Sequence, residues 1–143
     1  MSVPNPEPGL VICYSYLWRY EREAGREESS KARPCVVVLA VEKQDEDTAV
    51  IVAPITHSPP DSAAHAVEIP YKVKRSLGLD DKRSWVLLGE VNHFAWPGYD
   101  FQPVPGGKGR YDYGFLPPRL FEQIRMGILD LILQRHTSIT NRD

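Results

Sequence analysis

The chain has 143 residues, enough for one domain with a proper core and short for two. Hydrophobic residues make up 42% and charged residues 25%, the balance of an ordinary soluble globular protein. The formal net charge of -2 gives no global field for nucleic acid or an anionic membrane, so any nucleic-acid site must be a local patch.

Residues 1–8 are polar and Pro-rich, which reads as a flexible N-terminus and not as a signal peptide. No apolar run approaches a membrane span. Gly9 opens a β-prone run over residues 10–18. Residues 19–31 are dense in charge and hold Gly25, Ser29 and Ser30, the pattern of a long mobile loop with room for a weak helical turn over 21–28. Pro34 then opens the run Cys35-Val36-Val37-Val38-Leu39, and a second strand is expected over 34–41. Proline pushes the residue before it into an extended conformation, so Arg33 is held at the strand mouth. A guanidinium there either meets a phosphate or carboxylate in fork geometry or is a surface arginine paired with a nearby acid.

Asp45-Glu46-Asp47 reads as an acidic turn, and Thr48–Thr56 as a third strand, apolar enough to be buried on both faces. The two apolar strands form a hairpin. A loop over 57–64 carries Pro59-Pro60, and short strands follow at 66–69 and at 85–88 with Glu90-Val91. Residues 98–114 read as a long loop or irregular hairpin with Tyr99, Phe101, Tyr111 and Tyr113 interleaved. The last element is a helix over 118–134. Leu120, Ile124, Ile128 and Leu131 recur at helical spacing, with Phe121 and Ile132 widening the stripe. So broad a stripe suits packing on a sheet, with a share in a subunit contact. Residues 136–143 read as a flexible tail. The whole predicts a mainly β protein, a small antiparallel barrel capped by a C-terminal helix, in a single domain over 1–143. Cys13 and Cys35 are the only cysteines and sit in apolar runs, so they read as buried free thiols of a reducing compartment. No CxxC pair and no HExxH helix offers a metal site.

In order and separation, Lys31-Ala32-Arg33-Pro34-Cys35-Val36-Val37-Val38, then Val50-Ile51-Val52-Ala53-Pro54-Ile55-Thr56, then Ala66-Val67-Glu68-Ile69 and Ser84-Trp85-Val86-Leu87-Leu88, resemble the PemK/MazF-like toxins of bacterial type II toxin–antitoxin systems, with the Kid/CcdB-like fold. The resemblance covers residues 9–91 and, more loosely, the final helix. It implies an SH3-like barrel and a cytoplasmic homodimer. It also implies cleavage of single-stranded RNA at short sequence motifs with no metal or other cofactor, and a cognate antitoxin as partner, through which any contact with DNA would be indirect. Arg33 matches the family's catalytic strand-opening arginine and Thr56 its strand-terminal threonine. Lys31 stands beside them as a substrate-binding cation.

The sequence departs from the family where an Arg-Thr-Ile/Val-Asp stretch is expected. It reads Glu90-Val91-Asn92-His93 there, which removes a second cation. Either the site is rebuilt or RNA is no longer cut. The alternatives are a non-catalytic interaction module of the same fold, or a toxin of a protein target such as a topoisomerase. His57 and His93 are candidates for acid–base work, against the plainer reading of hydrogen-bonded surface histidines. Glu90 is a candidate base or orienting group, or else half of an ion pair. Lys108, Arg110 and Tyr111 are candidates for substrate contact in the aromatic segment, where plain packing is the competing reading. His136 reads as a helix-end residue.

Overall fold

The β-prone opening folds as strand β1 (Leu10–Tyr14), shorter than the apolar run that predicts it. A computed structural model describes residues 4–26, 31–42, 47–98 and 100–142. The expected acidic turn at Asp45-Glu46 and the ring of Tyr99 lie outside the described residues. Part of the charged stretch after β1 is a short helix, α1 (Arg19–Glu23), where the Trp18 N–H donates to Glu21 Oε1 at 3.1 Å and caps the first turn.

Strands β2 (Arg33–Glu42) and β3 (Thr48–Thr56) form the expected antiparallel hairpin, and β1 lies antiparallel on the other side of β2. β3 serves two partners on its far edge. Its first five residues pair with β6 (Glu90–Trp96), and Ile55 and Thr56 pair with β5 (Trp85–Leu87). Between them stands Pro54, which has no N–H to give. A register shift between Val37 and Leu39 adds to the bend. β4 (Ala66–Glu68) extends the sheet from β5.

Both faces of these strands are buried, and the alternation shows why. Val11, Val36, Ala53 and Ile55 point to one core, which α3 (Pro118–Leu133) covers with Ile124, Ile128 and Leu131. Ile12, Tyr14, Cys35, Val37, Val50 and Val52 point the other way, into a second core with Phe94 and Phe101. Burying one such aliphatic side chain stabilises the fold by roughly 1.5–3 kcal/mol, so the helix is held by its stripe rather than by propensity. Gly127 lets α3 approach closely, since a Cβ there would stand 2.6 Å from Leu88 Cδ1.

Several elements differ from the sequence-based expectation; the run expected over 85–88 with Glu90-Val91 divides into β5 and β6, and β6 continues to Trp96. The stretch over 98–114 ends in a true strand, β7 (Asp112–Phe115), antiparallel to β1. Residues 70–78 contain a helix, α2 (Tyr71–Ser76), entered from Pro70 and left at Gly78, ordinary boundary signals for a helix. The expected flexible tail is corrected by β8 (Ser138–Asn141), which pairs parallel with β6. Arg142 pins it: its side chain is 4% exposed, ion-paired with Asp100 at 2.7 Å, and donates to the Ser15 carbonyl at 2.8 Å. At the other terminus the Pro4 carbonyl accepts from Trp96 Nε1 at 3.1 Å. The result is an eight-stranded, mostly antiparallel barrel-like sheet with a helix across one face. No helix among the described residues is long and apolar enough to cross a membrane.

Candidate active site

The β2–β3 register sets Cys35 against Pro54. Carried two residues further, that register brings Arg33, at the start of β2, toward Thr56, at the end of β3. Arg33 pairs with Tyr14 of β1, and Thr56 with Trp85 of β5, so each is held by the backbone of a neighbouring strand. The two residues line one cavity of about 580 Å³, together with Lys31, His57, Ser58 and the rings of Trp18 and Tyr20.

Arg33 lies with its Cζ 4.7 Å from the centroid of the Trp18 ring. Trp18 is itself packed against Tyr16 edge-on at 5.0 Å and stacked near Tyr20 at 6.5 Å. The guanidinium is therefore within cation–π range of an aromatic platform. Its Nε is buried and has no hydrogen-bond partner. A buried donor left unpaired costs about 1–3 kcal/mol. Thr56 Oγ1 accepts the Ser58 N–H at 3.1 Å, which orients the hydroxyl and leaves its own proton to donate.

His57 follows directly on the strand end. Its Nε2 stands 2.8 Å from Asp80 Oδ2. The other oxygen of Asp80 accepts from Lys74 Nζ at 2.6 Å and from the Lys82 N–H at 3.2 Å. Lys74 is buried, with a side chain 3% exposed, and it also donates to Ser84 Oγ at 2.8 Å and to the Lys82 carbonyl. Burial works to raise the Asp80 carboxyl, but the Lys74 ammonium, the Lys82 N–H and His57 together hold it below its ordinary value. Lys74 and Asp80 were not singled out from sequence. The signal was there in the Pro70 and Gly78 boundaries of α2, which place Lys74 on a helix and Asp80 just beyond it.

The other predicted residues go elsewhere. His93 sits within β6, across from Ile51 and beside Asn141, and is not part of the cavity wall. Glu90 accepts from the Tyr16 O–H at 3.0 Å and the Arg19 N–H at 3.1 Å, and lines a separate cavity with His65 and His136. Burial pushes its carboxyl up, against those two hydrogen bonds. Arg110 faces Asp112 at 3.6 Å, and the Tyr111 ring packs edge-on against Phe101 at 5.2 Å. Their segment reaches the site through other residues. Pro105 and Tyr113 join Lys31, Arg33 and His57 around an adjoining cavity of about 410 Å³, whose wall does not include Lys108.

A small antiparallel barrel with one cationic, aromatic-floored cavity where its strands end is the class of protein these features define. A family model described as PemK-like, MazF-like toxin of type II toxin-antitoxin system matches residues 16–95, more than half of the chain, and the chain belongs to that family. No curated protein matches it. The matched span holds Trp18, Arg33, Thr56, His57 and Asp80, and stops before β7 and α3. Membership implies an antitoxin as partner.

Proposed function

We propose that the protein is a toxin that cuts single-stranded RNA at specific sequences, using only its own side chains. The observation that carries this reading is the meeting of Arg33, Thr56 and His57 in one cavity. Cleavage by the RNA's own 2′-hydroxyl forms a bond from the 2′-oxygen to phosphorus and breaks the bond from phosphorus to the 5′-oxygen. Arg33 donates N–H bonds to the non-bridging oxygens, and Thr56 adds one more, where negative charge builds. His57 takes the 2′-hydroxyl proton, and the departing 5′-oxygen takes a proton from water. Trp18 and Tyr20 offer a face for a base. Lys31 adds positive charge at the entrance.

The protein works in the cytoplasm as a homodimer, on this reading. Met126, Leu129, Ile132 and Leu133 support the second point, because they expose apolar surface on α3 away from its core face. Light scattering that gives a monomer mass at micromolar concentration overturns the dimer.

The test of activity is incubation with single-stranded RNA in the presence of a chelator. The expected products carry a 2′,3′-cyclic phosphate on one fragment and a 5′-hydroxyl on the other. RNA that stays intact with antitoxin absent overturns the nuclease and favours a non-catalytic interaction module or a protein-directed toxin.

A further inference from the structure

We propose that Asp80, gripped by Lys74, is the positioning residue that fixes the tautomer of His57. It accepts a hydrogen bond from Nε2–H and leaves Nδ1 as the nitrogen with a free lone pair. What His57 then does rests on the nuclease reading, but how its ring is held does not.

A neutral imidazole carries one N–H and one bare nitrogen, and the partner of one decides the state of the other. An ionised carboxylate can only accept. Asp80 Oδ2 at 2.8 Å from Nε2 therefore places the proton on Nε2. Asp80 is kept ionised and aimed by its other oxygen, where the Lys74 ammonium and the Lys82 N–H both donate. Lys74 cannot turn away, since the Ser84 hydroxyl and the Lys82 carbonyl hold its remaining protons inside the fold. The chain from buried Lys74 through Asp80 to His57 thus fixes the ring of a residue at the cavity wall. In the proposed reaction Nδ1 accepts the 2′-hydroxyl proton, and the imidazolium so formed lies against the Asp80 carboxylate.

Asp80→Asn separates this role from simple support. Lysine and the Lys82 N–H are donors only, so the amide oxygen of Asn must take their place at Oδ1. The amide NH₂ then faces His57, Nε2 becomes an acceptor, and the proton moves to Nδ1. The size and most of the contacts are unchanged, but the tautomer is inverted.

The experiment is a long-range ¹H–¹⁵N correlation spectrum of the histidine rings in the full ¹⁵N-labelled chain at alkaline pH, with His57 assigned by His57→Gln. The expected result is the Nε2–H tautomer in the unsubstituted protein and Nδ1–H in Asp80→Asn. A Nδ1–H ring in the unsubstituted protein, or an unchanged tautomer in the variant, overturns the proposal. In metal-free RNA cleavage, Asp80→Asn should lower kcat by about 10²–10⁴-fold with KM nearly unchanged. An unchanged kcat overturns the catalytic consequence. If the unsubstituted protein leaves RNA intact, the nuclease reading falls and the ring spectra alone decide the positioning.

Discussion

Asn92 acts as a strand partner for Leu17: its Oδ1 accepts the Leu17 N–H at 2.9 Å, and its Nδ2 donates to the Leu17 carbonyl at 2.8 Å. Asn92 is fully buried on β6. It stands where the family resemblance leads one to expect an arginine, and its side chain is turned inward to the Leu17 backbone. The clamp holds the backbone between β1 and α1, the stretch that delivers Trp18 beneath Arg33. Asn92→Ala removes both bonds and leaves two buried backbone groups unpaired. The expected loss is about 2–4 kcal/mol, read from equilibrium urea unfolding. A loss below about 1 kcal/mol would mean that water replaces the amide without difficulty.

How far the sequence reaches is visible in these same residues. The three apolar strands and the α3 stripe declare themselves by periodicity, because burial on both faces or on one helical face leaves a repeating pattern. The convergence of Arg33 and Thr56 follows from a hairpin whose two ends must meet. The Lys74–Asp80–His57 chain was hidden, because a buried lysine looks like any surface lysine until α2 is folded over it. β8 was hidden too. Four residues, Ser138-Ile139-Thr140-Asn141, carry no apolar pattern of their own, and they pair because Arg142 reaches Asp100 and Ser15 from outside the strand.

Gly127 sets a helix preference against a packing limit. Gly→Ala within a helix gains about 1 kcal/mol of propensity. Here the new methyl would meet the buried Leu88 Cδ1 at 2.6 Å, and overpacking a core costs about 1–3 kcal/mol. Gly127→Ala should therefore destabilise the protein by about 1 kcal/mol. In a Leu88→Ala background the same substitution should become stabilising, because the obstructing methyl is gone. Urea unfolding of the four-member cycle tests this, and a loss that persists without Leu88 refutes it.

Glu90 gives a pH dependence with a definite sign. Burial raises its carboxyl in the folded protein more than the Tyr16 O–H and Arg19 N–H lower it. The unfolded chain therefore gives up this proton first. As pH rises from the unfolded value through the folded one, the folded state loses stability, and the loss is complete above that window and absent below it. Glu90→Gln keeps an oxygen for both donors and removes the charge. The variant should melt higher than the unsubstituted protein at about pH 7, and the difference should shrink toward zero at about pH 4. A variant that melts lower at neutral pH would show that the charge-assisted bonds outweigh desolvation.

Arg33 carries the functional prediction. Its guanidinium lies over Trp18 at 4.7 Å, and its Nε is buried without a partner. Arg33→Ala removes an unsatisfied donor, which relieves about 1–3 kcal/mol, and loses a cation–π contact of about 0.5–2 kcal/mol. The two nearly cancel, so folding stability should change by no more than about 1 kcal/mol. Activity should not be spared in the same way. On the proposed nuclease reading, loss of the guanidinium donors should lower kcat/KM for RNA by about 10²-fold or more. Arg33→Lys should recover only a small part of this. An ammonium keeps the charge but lacks the planar fork. Cleavage rates paired with urea unfolding separate the outcomes. Full activity in Arg33→Ala would remove this residue from the site while leaving an enzyme. Lost activity with lost stability would make Arg33 a structural residue. Lost activity with intact stability is the expected result.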